Sequence, residues 1–330
     1  MSAVVVWAEI SEGKFKKPTL EALTAGRKWA DSLGSPLQAI LIGAEIPESL
    51  VQAAGEYGAD KVVRVQHASL SPFINSVYAR ALAAYVKAQK ISYVLLPQTY
   101  DGKAVAPMLA VWADGALFSG ITQVPEKTED GWRARRIAYS NKGIEWVFSS
   151  HLPLIATLKP NSLVPEKSSR SCQVEDFSFT PQEADKRARP IGVEKVATDS
   201  IPLTEAEIVV SGGRGLKGPE NWHVIEELAK VLNAATACSK PVADVGWRPH
   251  HEHVGQTGIQ ISPNLYIAVG ISGAIQHLAG VAASKNIVVI NNDPEAPFFK
   301  VADYGIVGDA LEVVPRLTEA VRRYKEQHTH

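Results

Sequence analysis

The chain has 330 residues, too many for one ordinary core and about right for two domains. Hydrophobic residues make up 45% and charged residues 21%, and 34 Lys+Arg against 35 Asp+Glu leaves no net field to attract nucleic acid or an anionic membrane. Two cysteines, Cys172 and Cys238, are too few for a disulfide framework, and no apolar run reaches the roughly 18 residues of a membrane span. The opening MSAVVVWAEI enters a strand-like run with neither a basic leader nor an Arg-rich amphipathic one, which leads us to expect a cytoplasmic protein.

The first half alternates short apolar runs with helical stripes. Ala3–Ala8, Leu37–Gly43, Lys61–Val65 and Tyr93–Pro97 are rich in Val, Ile and Leu without polar alternation, as strands buried on both faces of a parallel sheet are. Ile74, Val77, Ala81, Leu82 and Tyr85 fall on one helical face behind the start SLSPF. From Leu117 to Lys159 four pieces (LFSGITQV, WRARRIAYS, IEWVFSS, LPLIATLK) are separated by turn-like segments, with NKG as a hairpin signal, and predict added antiparallel strands. Pro160 to Pro202 has little periodicity and reads as a boundary or arm. Trp7, Trp29 and Trp112 are expected in the first core. The run RARR at 133–136 reads as a solvated strand face or a contact with a partner chain, and DGK at 101–103 as the opening of an old nucleotide pocket.

The second domain starts near Ala206. EIVVSGGRGLKG is a strand followed by a glycine loop, and a helix follows over Pro219–Ala235. LYIAVGISGAIQH is a second strand, loop and helix; Asn286–Ile290 with NNDPEAP is a third strand and loop; Tyr304–Val307 precedes a helix reaching about Gln327. In an open parallel sheet such loops gather at the carboxyl edge, where ligands bind. Taken singly, the glycine loops miss both the P-loop and the G-x-G-x-x-G spacings and read as tight turns. Together they offer backbone N–H groups to an anion, and Arg214 adds a full charge suited to a pyrophosphate, so the combination favours a dinucleotide.

SGGRGLKGPEN, ACSKPVADVGW, HVGQTG, LYIAVGISGAIQHLAG and NNDPEAPFFKVADYGIVGD resemble, in order and spacing, the C-terminal domain of the electron transfer flavoprotein alpha subunit family. DGKAVAPMLAVWADGALFSGIT and LPLIATLKPNSLVP are similar to its N-terminal domain. The resemblance implies an α/β chain in which an N-terminal layered domain with added antiparallel strands (1–198, including a linker from about 160) precedes a parallel-sheet, sirtuin-like FAD-binding domain (199–330). It implies FAD contacts at Arg214, Ser239, Lys240, Val254, Gly255, Gln256, Thr257, Ser272, Gly273, Ala274, Ile275, Gln276, His277, Asn291 and Asp309. By that analogy Gln256, Thr257 and His277 surround the isoalloxazine, with His277 on its pyrimidine side, while Ser272, Asn291 and Asp309 serve the ribityl chain, pyrophosphate or adenosine.

The same resemblance implies an electron carrier rather than a stand-alone enzyme. It would be one half of a heterodimer with a beta subunit that carries AMP or a second FAD. Electrons would come from flavoprotein dehydrogenases, such as those of fatty acid beta-oxidation, or from NADH- or ferredoxin-linked donors, and leave to a quinone oxidoreductase or another acceptor. Two further readings compete with it: an NAD-dependent hydrolase or deacylase, which would purify colourless, and an AMP- or ATP-binding regulatory module built on the first domain.

Two positions depart from the family pattern. Lys240 stands where the family usually has Arg; a guanidinium can stack on a flavin ring and a flexible ammonium cannot, so the flavin's potentials are expected to shift unless Lys240 reaches the same place or faces solvent. His250-His251-Glu252-His253 lacks the H-E-x-x-H spacing of a zinc site and reads as a solvated loop, with no metal expected.

Overall fold

The computed structural model describes residues 2–139, 143–186, 190–192 and 201–328, in two compact units. The boundary expected at 198–199 and the Asn141-Lys142 portion of the NKG turn lie outside the described residues.

The first unit follows the alternation read from the sequence. β1 (Val4–Trp7), α1 (Lys17–Leu33), β2 (Leu37–Gly43), α2 (Glu48–Glu56), β3 (Lys61–Gln66), α3 (Asn75–Ala88), β4 (Tyr93–Pro97) and α4 (Tyr100–Ala113) come in turn. β5 (Ala116–Ile121), β6 (Glu126–Lys127), β7 (Trp132–Ala138), β8 (Gly143–Ser149), β9 (Leu154–Leu158) and β10 (Gln173–Asp176) follow. The ten-stranded sheet runs β10-β3-β2-β1-β4-β9-β5-β7-β6, with β8 on β7. Strand alternation splits its side chains between two cores. Val5, Trp7, Ile40 and Leu96 pack under α3 and α4, while Val4, Val6, Leu41, Leu95 and the fully buried Trp29 pack with α1. Trp112 is half-buried, with the Arg80 guanidinium 3.9 Å above its ring. Within the RARR run Ala134 is buried, while Arg133 and Arg136 pair with Glu126 and Glu145.

Two strands depart from expectation. LPLIATLK does not extend the sheet in antiparallel fashion: β9 inserts between β4 and β5, parallel to both, and all five of its residues are buried. Its unbroken apolar run is the mark of a doubly covered parallel strand; only β7 is antiparallel to its neighbours β5, β6 and β8. The arm after Pro160 also contributes β10, parallel to β3 at the sheet edge. This strand carries no apolar signal because it is mostly exposed, and the ion pairs Lys61–Glu175 (2.8 Å) and Arg64–Asp176 (2.8 Å) tie it to the edge.

The second unit contains β11 (Ile208–Gly212), α5 (His223–Leu232), β12 (Ala235–Cys238), α6 (Lys240–Asp244), β13 (Leu265–Val269), α7 (Ile275–Val281), β14 (Asn286–Asn291), β15 (Tyr304–Val307) and α8 (Ala310–His328). All five strands are parallel in the order β12-β11-β13-β14-β15. Successive residues again serve opposite faces. Val210, Val269 and Ile290 meet Ile225, Leu228 and Val314 on one side; Val209, Ala268 and Val289 meet Val281 and Phe298 on the other. Ala235, expected as the end of a helix, begins β12, because α5 stops at Leu232 with Asn233 in the left-handed conformation. Among the described residues no helix is long and apolar enough to cross a membrane.

Candidate functional site

The chain leaves β11 toward β12 on one side of the sheet and returns to β13 on the other. The carboxyl ends of β11 and β13 therefore flank the topological switch point, the place where open α/β sheets bind ligands. A cleft of about 410 Å³ opens there. Four strand ends reach it: Arg214 follows β11, Ser239 and Lys240 follow β12, Ser272 and Ala274 follow β13, and Asn291 ends β14.

The glycines at this edge allow two backbones to touch. Gly213 N–H donates to Val269 O at 2.9 Å and Gly215 N–H to Gly270 O at 3.0 Å. A Cβ on Gly213 would lie 2.2 Å from Gly270 O, so no other residue fits without moving the loop. Gly270 itself has φ +61°, a conformation that side chains disfavour.

The turn after β13 explains how the cleft can hold an anion. Among the described residues, no hydrogen bond to the rest of the chain is made by the backbone N–H groups of 272–276. α6 and α7 are only five and seven residues long, and Arg214 opens a single 3-10 turn. The expected helix-dipole effect is therefore small, and the work falls to these loop N–H groups and to charge. Arg214 is exposed on the cleft wall and forms no ion pair among the described residues. Ser239 is buried, its N–H donating to Gly212 O at 3.1 Å. Lys240 pairs with Asp244 at 3.1 Å and is 57% exposed, an arrangement that leans its ammonium toward solvent.

The loop 254–258 closes another wall. Gln256 N–H donates to Gln276 O at 2.7 Å, setting the exposed Gln256, Thr257 and Gln276 side chains together at the cleft. Asn291 is buried, and its amide is committed within the protein: Nδ2 donates to Ile271 O at 2.9 Å and Oδ1 accepts from Asp293 N–H at 3.0 Å. It braces two cleft loops.

His277 is turned inward. Its Nε2 lies 2.7 Å from the buried Tyr266 hydroxyl, and its Nδ1 is buried without a hydrogen-bond partner among the described residues. Burial, with the neighbouring His253 adding to it, pushes the imidazole down to about 4, so the ring is neutral. In this arrangement neither ring nitrogen lies on the cleft surface.

The structure gathers Arg214, Ser239, Lys240, Val254, Gln256, Thr257, Ser272, Ala274, Gln276, His277 and Asn291 around one cleft. Four of the expected contacts lie off its wall. Gly255 and Gly273 are points of close packing, the latter against Phe298. Ile275 is exposed at 70%, and Asp309 pairs with Lys217 at 2.7 Å and caps α8 through Leu311 N–H. The Lys217 ammonium, together with that cap, holds the Asp309 carboxyl below its ordinary range.

Sequence reasoning missed Pro241, His253 and Asp293, which also line the cleft. The sequence places His253 in a solvated run, yet it is buried while His250 and His251 are exposed. Burial lowers its pKa, with Lys240 adding to the effect. Its backbone bridges to Cys238, which only the paired structure reveals. Arg248 grips Glu252 through two bonds of 2.8 and 2.6 Å, fixing that loop. Among the described residues no group of three or more His, Cys, Asp or Glu could hold a metal ion.

Comparison with known proteins places this geometry in a family. The electron transfer flavoprotein domain matches residues 4–182, and the electron transfer flavoprotein FAD-binding domain matches 202–282. The electron transfer flavoprotein subunit alpha of Bacillus subtilis is 39% identical over 99% of this chain and 98% of its own length. That of Thermoanaerobacterium thermosaccharolyticum is 36% identical over 97% and 98%. Protein FixB of Azotobacter vinelandii is 35% identical over 96% and 91%.

Proposed function

The chain belongs to the electron transfer flavoprotein alpha subunit family, with an FAD-binding domain in its C-terminal half, and on that premise we propose that FAD occupies the cleft at the switch point of the second sheet. The observation carrying this reading is the meeting, at one cleft, of the N–H groups of 272–276 and the Arg214 guanidinium, neither of which has a partner among the described residues, with a glycine pair that admits no side chain. These residues fit the group: a pyrophosphate needs donors and charge, and a flat ring needs walls without protruding side chains. When bound, FAD accepts electrons from a donor and passes them on, chemistry that no side chain supplies.

The residues of the chain divide the remaining tasks. Arg214 and the loop after β13 hold the pyrophosphate. Ser239, Gln256, Thr257 and Gln276 offer hydrogen bonds to the polar edges of the ring and ribityl chain. Asn291 keeps the loops in register rather than touching the cofactor first. Lys240, held by Asp244, leaves the ring face without the stacked guanidinium usual in the family. Gly255 and Gly273 act through packing and Asp309 through capping in this reading, while the exposed Ile275 is given no contact with the cofactor.

Membership of the family gives the chain a beta subunit as partner. We further infer that the complex is cytoplasmic, that the domains divide near 198–199, and that electrons pass from flavoprotein dehydrogenases, or NADH- or ferredoxin-linked donors, to a quinone oxidoreductase or comparable acceptor. The test is to co-purify this chain with its beta subunit, then measure bound flavin and follow its spectrum during stepwise reduction. A yellow complex that reduces reversibly is expected; a colourless one that takes up no FAD contradicts the reading.

A further inference from the structure

We propose that His253 is a cofactor-contacting residue: its imidazole, set in the cleft wall between the end of β12 and the 254–258 loop, offers a ring nitrogen to FAD. The contact rests on the reading that FAD fills this cleft; the readiness of the ring to meet a ligand rests on the geometry alone.

The backbone fixes where the ring stands. His253 forms a parallel bridge with Cys238, the last residue of β12, and the following Val254 N–H donates to Cys238 O at 3.1 Å. His253 N–H donates to His250 O at 3.1 Å, and His253 O accepts from Ile259 N–H at 2.9 Å. The stretch HVGQTG then clears a slot for the side chain. A Cβ on Gly258 would lie 2.8 Å from Nδ1, and one on Gly255 would lie 3.1 Å from Nε2. Glycine at both places keeps a side chain off either nitrogen.

The slot holds an imidazole with nothing to bond. His253 is only 7% exposed, yet neither ring nitrogen has a hydrogen-bond partner among the described residues. Both nitrogens keep some contact with solvent, unlike Nδ1 of His277, which is closed off. The small surface that His253 retains therefore includes its two polar atoms, on a residue that lines the cleft.

A ligand changes what the ring can bond. Water satisfies it while the cleft holds solvent, and a ligand that fills the cleft expels that water. A polar group buried without a partner costs about 1–3 kcal/mol, so a tightly bound ligand has to supply the bond. Burial, with Lys240 adding to it, holds the imidazole below its usual range, so near pH 7 it is neutral, with one N–H to donate and one nitrogen to accept. FAD can meet either need: its ring carbonyls accept, and its imide N–H and ribityl hydroxyls donate.

The two histidines of the cleft thus differ in what they offer. His277 turns Nε2 onto Tyr266 at 2.7 Å and has its other nitrogen closed off. His253 supplies the imidazole contact that the family resemblance assigns to His277. An apolar side chain would fill the slot as well, so only the nitrogens distinguish His253 from a packing residue.

The test uses the complex with the beta subunit, labelled with nitrogen-15 in histidine, stripped of FAD and then reloaded. Signals lost in His253→Gln and in His277→Gln assign the two rings. On loading, the ring nitrogens of His253 are expected to shift more than those of His277. His253→Leu should weaken FAD binding about tenfold, as for one lost hydrogen bond, while His253→Gln, which keeps an amide donor and acceptor, should recover most of the affinity. FAD that binds without moving the His253 nitrogens overturns the proposal, even where His253→Leu does not fold. So does a His253→Leu complex of native affinity, or a His253→Gln complex that binds no tighter than His253→Leu. A complex that takes up no FAD instead contradicts the reading of the cleft, and the proposal falls with it.

Discussion

Gly213→Ala tests how closely the two glycine loops must approach. The new Cβ would sit 2.2 Å from Gly270 O and 2.7 Å from Ile271 Cγ1. A carbon and a carbonyl oxygen approach to about 3.3 Å at closest, so the loops must part by about 1 Å. Gly270 O is backbone and cannot rotate aside. The parting stretches Gly213 N–H to Val269 O (2.9 Å) and Gly215 N–H to Gly270 O (3.0 Å). Two weakened hydrogen bonds cost about 1–3 kcal/mol, and forcing a methyl into packed space costs a similar amount. We expect a total of roughly 2–6 kcal/mol, a fall in Tm on the order of 10 °C, and FAD affinity reduced about tenfold or more. Circular dichroism melting and flavin fluorescence on the complex measure both. Gly192→Ala, with no atom within 4 Å of the added methyl, is the control and should change stability by less than about 0.5 kcal/mol. A Gly213→Ala complex with native Tm and native FAD affinity refutes the reasoning.

Arg214→Ala should weaken FAD binding by roughly 10- to 100-fold, the worth of hydrogen bonds to a charged group, and leave Tm of the cofactor-free protein unchanged, as titration and melting will show. Lys240→Arg should shift the flavin midpoint potential in a redox titration, whereas Lys240→Ala should cost less than about 1 kcal/mol because its exposed pair with Asp244 is weak. Buried His277, near 4 when folded and 6.5 when unfolded, binds fewer protons in the native state. Its contribution is therefore complete above about pH 6.5 and is lost as pH falls toward 4, by up to roughly 3 kcal/mol; urea melts of native protein and His277→Gln should differ in that slope.

Much of the fold can be read in the chain because its parallel strands are continuous apolar runs. LQAILIG and YVLLP coincide with β2 and β4, and LYIAV with β13. Strand order is a different matter. Nothing local in LPLIATLK says that β9 slips between β4 and β5, since insertion is decided by what covers its two faces. QVED is too short and too charged to show as a strand, and ATAC follows a helix so closely that its four residues read as the helix end. At the site, the glycine loops with Arg214, Gln276 and His277 are visible as strand-turn-helix units. Ser239, Lys240 and the stretch from Val254 to Thr257 are not, because their approach depends on β12 pairing with β11 and on the bridge from Cys238 to His253. His253 and Asp293 escape notice for the same reason, as does the inward turn of His277 onto a tyrosine eleven residues away.

The most direct measurement is a crystal structure of the complex with its beta subunit, grown with saturating FAD. The account predicts the pyrophosphate within hydrogen-bond reach of Arg214 and of the N–H groups of 272–276, with the ring between the 254–258 loop and the turn after β13. FAD bound elsewhere, with this cleft empty, would contradict it.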